Sequence, residues 1–157
     1  MPIEYLEHFL LQTEDFEATV AWWRDIAGLV TGPTPNFGFP VQWMYAGDRD
    51  VLHITHGGRL ATQNRKAYLG QESEATRGSG VVDHIAFRCT GLQATMQSLR
   101  ARAVAFNERR VDDQGVYQLF LFDPNSVKVE LNFPASEAGD LQAPVMASTF
   151  TFQHVAR

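Results

Sequence analysis

The sequence predicts an α+β fold of two paired βαβββ modules, and three observations carry that prediction. The order strand, helix, strands occurs twice along the chain, the segments read as strands alternate apolar and polar residues, and histidines stand in equivalent strands of the two halves. The first module covers about residues 4–57, a linker 58–79, the second module about 80–134 and a C-terminal tail 135–157, all within one domain spanning 1–157.

The first strand is read in "IEYLEHFLLQT", around His8. The helix follows in "EDFEATVAWWRDIAG", where Phe16, Val20, Trp23 and Ile26 recur at three-to-four spacing, Asp15 or Thr13 is placed to cap, and Gly28 lies just past the end. The turn-rich "GPTPNFGFP" leads to two strands, "VQWMYAG" and "DVLHITHG". After the polar linker the order repeats. "VVDHIAFRCT" is the strand, "GLQATMQSLRARA" the helix with Leu92, Met96 and Leu99 on one face, and "VAFNERR", "GVYQLFLFD" and "VKVELNFP" are the closing strands.

Sliding one half over the other places "HFLLQT" on "HIAFRCT" and "VLHIT" on "KVELN". His84 then follows His8 by 76 residues, and Glu130 follows His53 by 77. An imidazole on an apolar strand costs free energy unless its nitrogens find partners, and a single one is ordinarily a hydrogen-bonded core residue. Four metal-capable side chains at equivalent places in two modules read differently, because unrelated core histidines need not coincide under one slide. Alternation agrees: Val127, Val129 and Leu131 form one face of the last strand and Lys128, Glu130 and Asn132 the other. In the same way Phe9 and Leu11 oppose the His8 face, and Ile85 and Phe87 oppose that of His84.

Composition narrows the partners. The chain has 157 residues, 45% of them hydrophobic and 20% charged, with a formal net charge of −5 and no basic stripe. Nucleic acid and anionic membrane therefore have little support as partners, and a small-molecule ligand is expected. No apolar run approaches the roughly 20 residues of a membrane span. The acidic start lacks a basic n-region, and the single cysteine, Cys89, suits a reducing compartment, so a cytoplasmic location is expected. Cys89 itself reads as a small packed residue rather than a nucleophile.

These residues resemble the vicinal oxygen chelate superfamily of glyoxalase I, methylmalonyl-CoA epimerase, extradiol dioxygenases and the fosfomycin and bleomycin resistance proteins. "LFLFDPNSVKVELNF" is similar to the family's last hairpin, which ends in a metal-binding glutamate, and "DHIAF" to its second-module ligand strand. "FGFPVQWMYAGDRDVLHI" resembles a glyoxalase-like branch that carries histidine where true glyoxalases carry glutamate. The resemblance covers about residues 4–134. It implies a cup-shaped mixed sheet around one divalent metal ion (Zn, Ni, Co, Mn or Fe(II)), helices outside, and a homodimer. It implies His8, His84 and Glu130 as metal ligands, with His53 as fourth ligand, as a donor behind the ligands or as a substrate hydrogen-bonder. The chemistry implied is that of a metal-dependent isomerase or lyase acting on a small carbonyl or vicinal-oxygen substrate. An Fe(II)-dependent extradiol-type dioxygenase and a non-catalytic, bleomycin-resistance-like binding protein are the alternatives.

The departures bear on mechanism. With histidine at 53, Glu130 is the sole catalytic carboxylate expected, whereas bacterial glyoxalases have two. The segment "RRVDDQGVYQLF" has no histidine, and Phe120 stands where extradiol dioxygenases usually have tyrosine; Tyr117 is expected on the helix-facing side. Phe37, Phe39, Trp43, Gln118, Phe120 and Asn132 are expected either to line an apolar substrate cup or to pack as ordinary core. Arg109 and Arg110 are read as carboxylate binders or as a solvated ion-pair face beside Asp112 and Asp113, and His56 and His154 as residues away from the chemistry.

Overall fold

The protein is described by a computed structural model covering residues 5–69, 75, 77–80 and 82–146. The described residues fall into two compact units, those within Met1–Gly80 with the turn Asp123–Val127, and those within Val81–Phe122 and Lys128–Arg157. Each is an α+β arrangement with a mixed sheet.

In the first unit β1 (Phe9–Thr13) leads through α1 (Phe16–Asp25) to β2 (Val30–Thr31), β3 (Val41–Ala46) and β4 (Arg49–His56), with sheet order β1-β4-β3-β2. β1 runs parallel to β4, as a strand returning after a helical crossover does, and the β2–β3 and β3–β4 pairs are antiparallel. The face toward α1 is the core. Leu52, Ile54 and Met44 are fully buried there with Trp23, each aliphatic side chain contributing about 1.5–3 kcal/mol by burial. Of the two expected caps, Asp15 occupies the N-cap without a side-chain bond, while the Thr13 hydroxyl accepts the Asp15 N–H at 2.9 Å. Gly28, at φ 79°, ends the helix in the left-handed conformation that favours glycine.

The turn Asp123–Val127 supplies a polar anchor within this unit. Asp123 Oδ1 accepts the N–H groups of Asn125 and Val127 at 2.8 and 2.9 Å, and Oδ2 accepts Trp23 Nε1–H at 3.2 Å. The Asn125 amide donates to Thr19 Oγ1 at 2.9 Å, and its oxygen accepts the Thr13 hydroxyl at 2.7 Å. The aspartate of the "DPN" motif, whose Oδ2 also accepts the Asn125 amide at 3.3 Å, is thus an acceptor for four donors in a buried turn. The polar segment after β4 is more ordered than its composition suggests: it contains a 3-10 turn, Gly58–Leu60, and a helix, α2 (Gln63–Leu69).

The second unit repeats the plan with β5 (Ile85–Arg88), α3 (Leu92–Ala101), β6 (Asn107–Val111), β7 (Val116–Phe122) and β8 (Lys128–Pro134). Sheet order is β5-β8-β7-β6-β9, where β9 (Val145–Met146), from the segment read as a tail, pairs parallel to β6. Leu92, Met96 and Leu99 are buried, as their spacing predicts, and Glu137 Oε2 accepts the Gly91 and Leu92 N–H groups at 2.7 Å each, capping α3 from a distant part of the sequence. Tyr117 lies buried on the face away from Glu130, its hydroxyl donating to Glu108 at 2.6 Å. His154 lies outside the described residues.

The strand registers reproduce the repeat. In the first unit Leu10, two residues after His8, pairs with His53; in the second Ala86, two after His84, pairs with Glu130. On the neighbouring strands Trp43 pairs with His53 and Phe120 with Glu130, while Val41 pairs with Thr55 and Gln118 with Asn132.

Candidate functional site

His8 and His84 each stand one residue before the first ladder residue of their strand, and both are part-exposed, with 34% and 38% of the side chain accessible. Their partners on β4 and β8 are buried to the same depth: His53 is 7% and Glu130 6% exposed.

In the first unit the His8 and His53 rings stack at 3.9 Å, and the other face of His53 lies on Trp43 at 4.3 Å with the planes parallel to within 2°. His53 Nε2 is 2.8 Å from Asp50 Oδ2. Burial pushes the His53 imidazole below its ordinary value, against the Asp50 hydrogen bond that pulls the other way, so the neutral ring is favoured. The same hydrogen bond holds the Asp50 carboxyl below its usual range. Asp50 escaped the sequence reading because three residues of a regular strand separate opposite faces. Here Met44 pairs with Leu52 and Tyr45 with Asp50, so Val51 is an extra residue in β4. This bulge reverses the alternation and turns Asp50 to the His53 side. An acid three residues before a strand histidine is the only sequence signal, and it depends on the bulge.

Phe39 precedes β3. The Phe37 ring lies 5.8 Å from Phe39, 6.1 Å from Trp43 and 5.2 Å from Tyr68, joining Trp43 to an aromatic cluster that includes a residue of α2. His56 ends β4 on the opposite face, its ring edge-on to Phe16 at 5.2 Å, so it packs with the helix.

In the second unit His84 Nε2 is 3.2 Å from Glu130 Oε2. Glu130 Oε1 accepts Gln118 Nε2–H at 2.9 Å and Asn132 Nδ2–H at 2.7 Å. Gln118 also donates to Asn132 Oδ1 at 2.8 Å, and its oxygen accepts Arg109 Nε–H at 2.5 Å. The two amides therefore clamp one carboxylate oxygen and leave the other toward His84. Phe120 faces the same side, 6.5 Å edge-on from His84, with the Arg109 guanidinium 4.8 Å from its ring centroid. Of the two arginines, Arg110 is the structural one, bonded to Asp112 at 2.6 Å and to the carbonyls of Gly139 and Leu141. Cys89 is a free thiol, pushed up by burial and thus poorly suited to act as a nucleophile.

The donors fit a divalent cation. One donor atom from each of His8, Asp50 and His53 lies within 4.8 Å of the others, and His8 Nδ1 is buried with no hydrogen-bond partner, its nearest acid being Glu7 at 3.7 Å. Imidazole nitrogen with carboxylate oxygen is a donor set that suits first-row divalent ions.

The sequence matches no protein-family model and no curated protein. Solved structures do resemble it. A lactoylglutathione lyase from Agrobacterium tumefaciens is 18% identical, with 85% of this chain and 96% of that one covered at a TM-score of 0.61. TnmS3, an antibiotic binding protein from Streptomyces sp. CB03234, is 15% identical over 85% and 98% of the two chains, TM-score 0.59. The fosfomycin resistance protein FosX from Listeria monocytogenes is 17% identical over 86% and 97%, TM-score 0.58. Among the described residues no helix is long and apolar enough to cross a membrane. Two βαβββ modules with matching registers, and the likeness to these solved structures, establish that the chain shares their fold.

Proposed function

We propose that the protein is a metal-dependent, glyoxalase-like isomerase or lyase acting on a small carbonyl or vicinal-oxygen substrate. The observation that supports it is the matched pair of donor sites: His8 against His53 and His84 against Glu130, at the same register in each module. In this reading His8, His84 and Glu130 are ligands of one divalent ion, with His53 the fourth. When bound, such an ion supplies Lewis-acid stabilisation of the negative charge that develops on substrate oxygen.

The chain's own residues supply the rest. Glu130, with Oε1 fixed by Gln118 and Asn132, presents Oε2 in one orientation and is the group placed to take a proton from the substrate carbon and return it to the neighbouring one. His53 is a poor base, since its Nε2 is committed to Asp50 and its ring is walled by His8 and Trp43. Trp43, with Phe37 and Phe39 beside it, offers an apolar surface for a substrate side group and keeps water from it.

Turnover of the glutathione hemithioacetal of methylglyoxal is the test. The native protein should act on it weakly, and His53→Glu should raise the rate if the pocket admits that substrate. A native rate of about 10² s⁻¹ or more, at the fast end of ordinary enzymes, would refute this account of the base. Assays under air and under nitrogen separate it from the oxygenase reading, which predicts oxygen uptake on catechols.

The aromatic cluster of Phe37, Phe39, Trp43 and Tyr68 favours a second reading, a module that binds an aromatic compound without transforming it. That reading predicts ligand affinity unchanged in His8→Ala and Glu130→Ala.

A further inference from the structure

The exchange of a glutamate for His53 should leave a metal site one negative charge short of a two-glutamate site. The β4 bulge brings a carboxylate to that place: Asp50 Oδ2 sits 2.8 Å from His53 Nε2, on the face that also carries His8. Three features make the trio a cation cradle. The donors already lie within 4.8 Å of one another, and tetrahedral Zn with bonds of about 2.1 Å needs them only about 3.4 Å apart. His8 Nδ1 is buried without a hydrogen-bond partner. Trp43, parallel to His53 within 2°, fixes the ring plane and leaves its edge for bonding.

We propose that Asp50 is a metal ligand, so that the first unit contributes two imidazoles, His8 and His53, and one carboxylate to the ion. This rests on the metal-dependent reading above and assigns it a carboxylate that the family resemblance does not. Two imidazoles with one carboxylate form a donor set for Zn, Mn or Fe(II), and binding them exchanges the Asp50–His53 hydrogen bond for two bonds to the ion.

Full-length native protein, Asp50→Asn and Glu130→Gln are titrated with Co(II), followed by visible absorption and calorimetry, with circular dichroism to confirm folding. Asparagine keeps an oxygen that accepts from His53 but loses the charge. The native chain should bind one equivalent, and Asp50→Asn should lose roughly 10- to 100-fold in affinity with a changed ligand-field spectrum. An Asp50→Asn protein that binds as tightly as native, with an unchanged spectrum, overturns the Asp50 assignment while leaving the metal reading intact. A native protein that binds no Co(II) overturns both. If Asp50→Asn does not fold, Asp50→Ser carries the same expectations.

Discussion

At one register of one strand, the first unit buries an imidazole and the second a carboxylate, 7% and 6% exposed. What differs is the surroundings. Glu130 has Gln118 and Asn132, two amide donors for an acceptor-only group. The positions that match them beside His53 are Val41 and Thr55, and Thr55 gives its hydroxyl to the Pro40 carbonyl. His53 has instead a flat indole on one face and an acid at Nε2. One backbone therefore supports either side chain, provided its cross-strand neighbours satisfy it.

That comparison is broken most severely at Glu130. Glu130→Ala removes both the expected base and the acceptor of two buried amides. Steady-state rates on whichever carbonyl substrate the native protein turns over should fall about 10²- to 10⁴-fold. Urea unfolding should show a loss of about 1–3 kcal/mol.

Reciprocal exchanges ask whether the neighbours select the residue. Glu130→His strands the amide donors of Gln118 and Asn132, and His53→Glu buries a carboxylate with no amide donors, beside Asp50. Each should cost about 1–3 kcal/mol in urea unfolding of the metal-free protein. Two neutral exchanges would mean that the surroundings do not discriminate.

The aromatic counterparts sharpen the contrast. Trp43 stacks on the buried His53, whereas Phe120 meets the open His84 only edge-on. Trp43→Ala should cost about 2 kcal/mol in thermal or urea unfolding and Phe120→Ala about 1 kcal/mol.

The smallest effect is confined to the second unit. Burial and the Glu108 hydrogen bond push the Tyr117 phenol up. Its folded form then holds a proton that the unfolded chain releases, so stability is unaffected below the ordinary tyrosine value and declines as pH rises past it. Tyr117→Phe should flatten that alkaline decline in unfolding curves taken between about pH 9 and 11.

The sequence was most legible where spacing alone fixes geometry. His8, His84 and the residues opposite them could be placed because strand period and repeat offset both survive folding, and the registers Leu10–His53 and Ala86–Glu130 realise that placement. Trp23, Leu92, Met96 and Leu99 reach the core for the same reason. Asp50 was illegible, because a bulge is set by how two strands pair and not by alternation within one. The Gln118 and Asn132 amides were seen as pocket residues, but their bonds to Glu130 depend on side-chain rotamers across two strands. Glu137 could not be read as the cap of α3, since 46 residues separate it from Gly91.

Metal content tests the central claim most directly. Protein purified without a histidine tag, native and His84→Ala, should be analysed for first-row metals after equilibration with each. The account predicts close to one divalent ion per native chain and a marked loss in His84→Ala, because the second unit's imidazole is expected to be a ligand equivalent to His8. Full metal content in His84→Ala would contradict it.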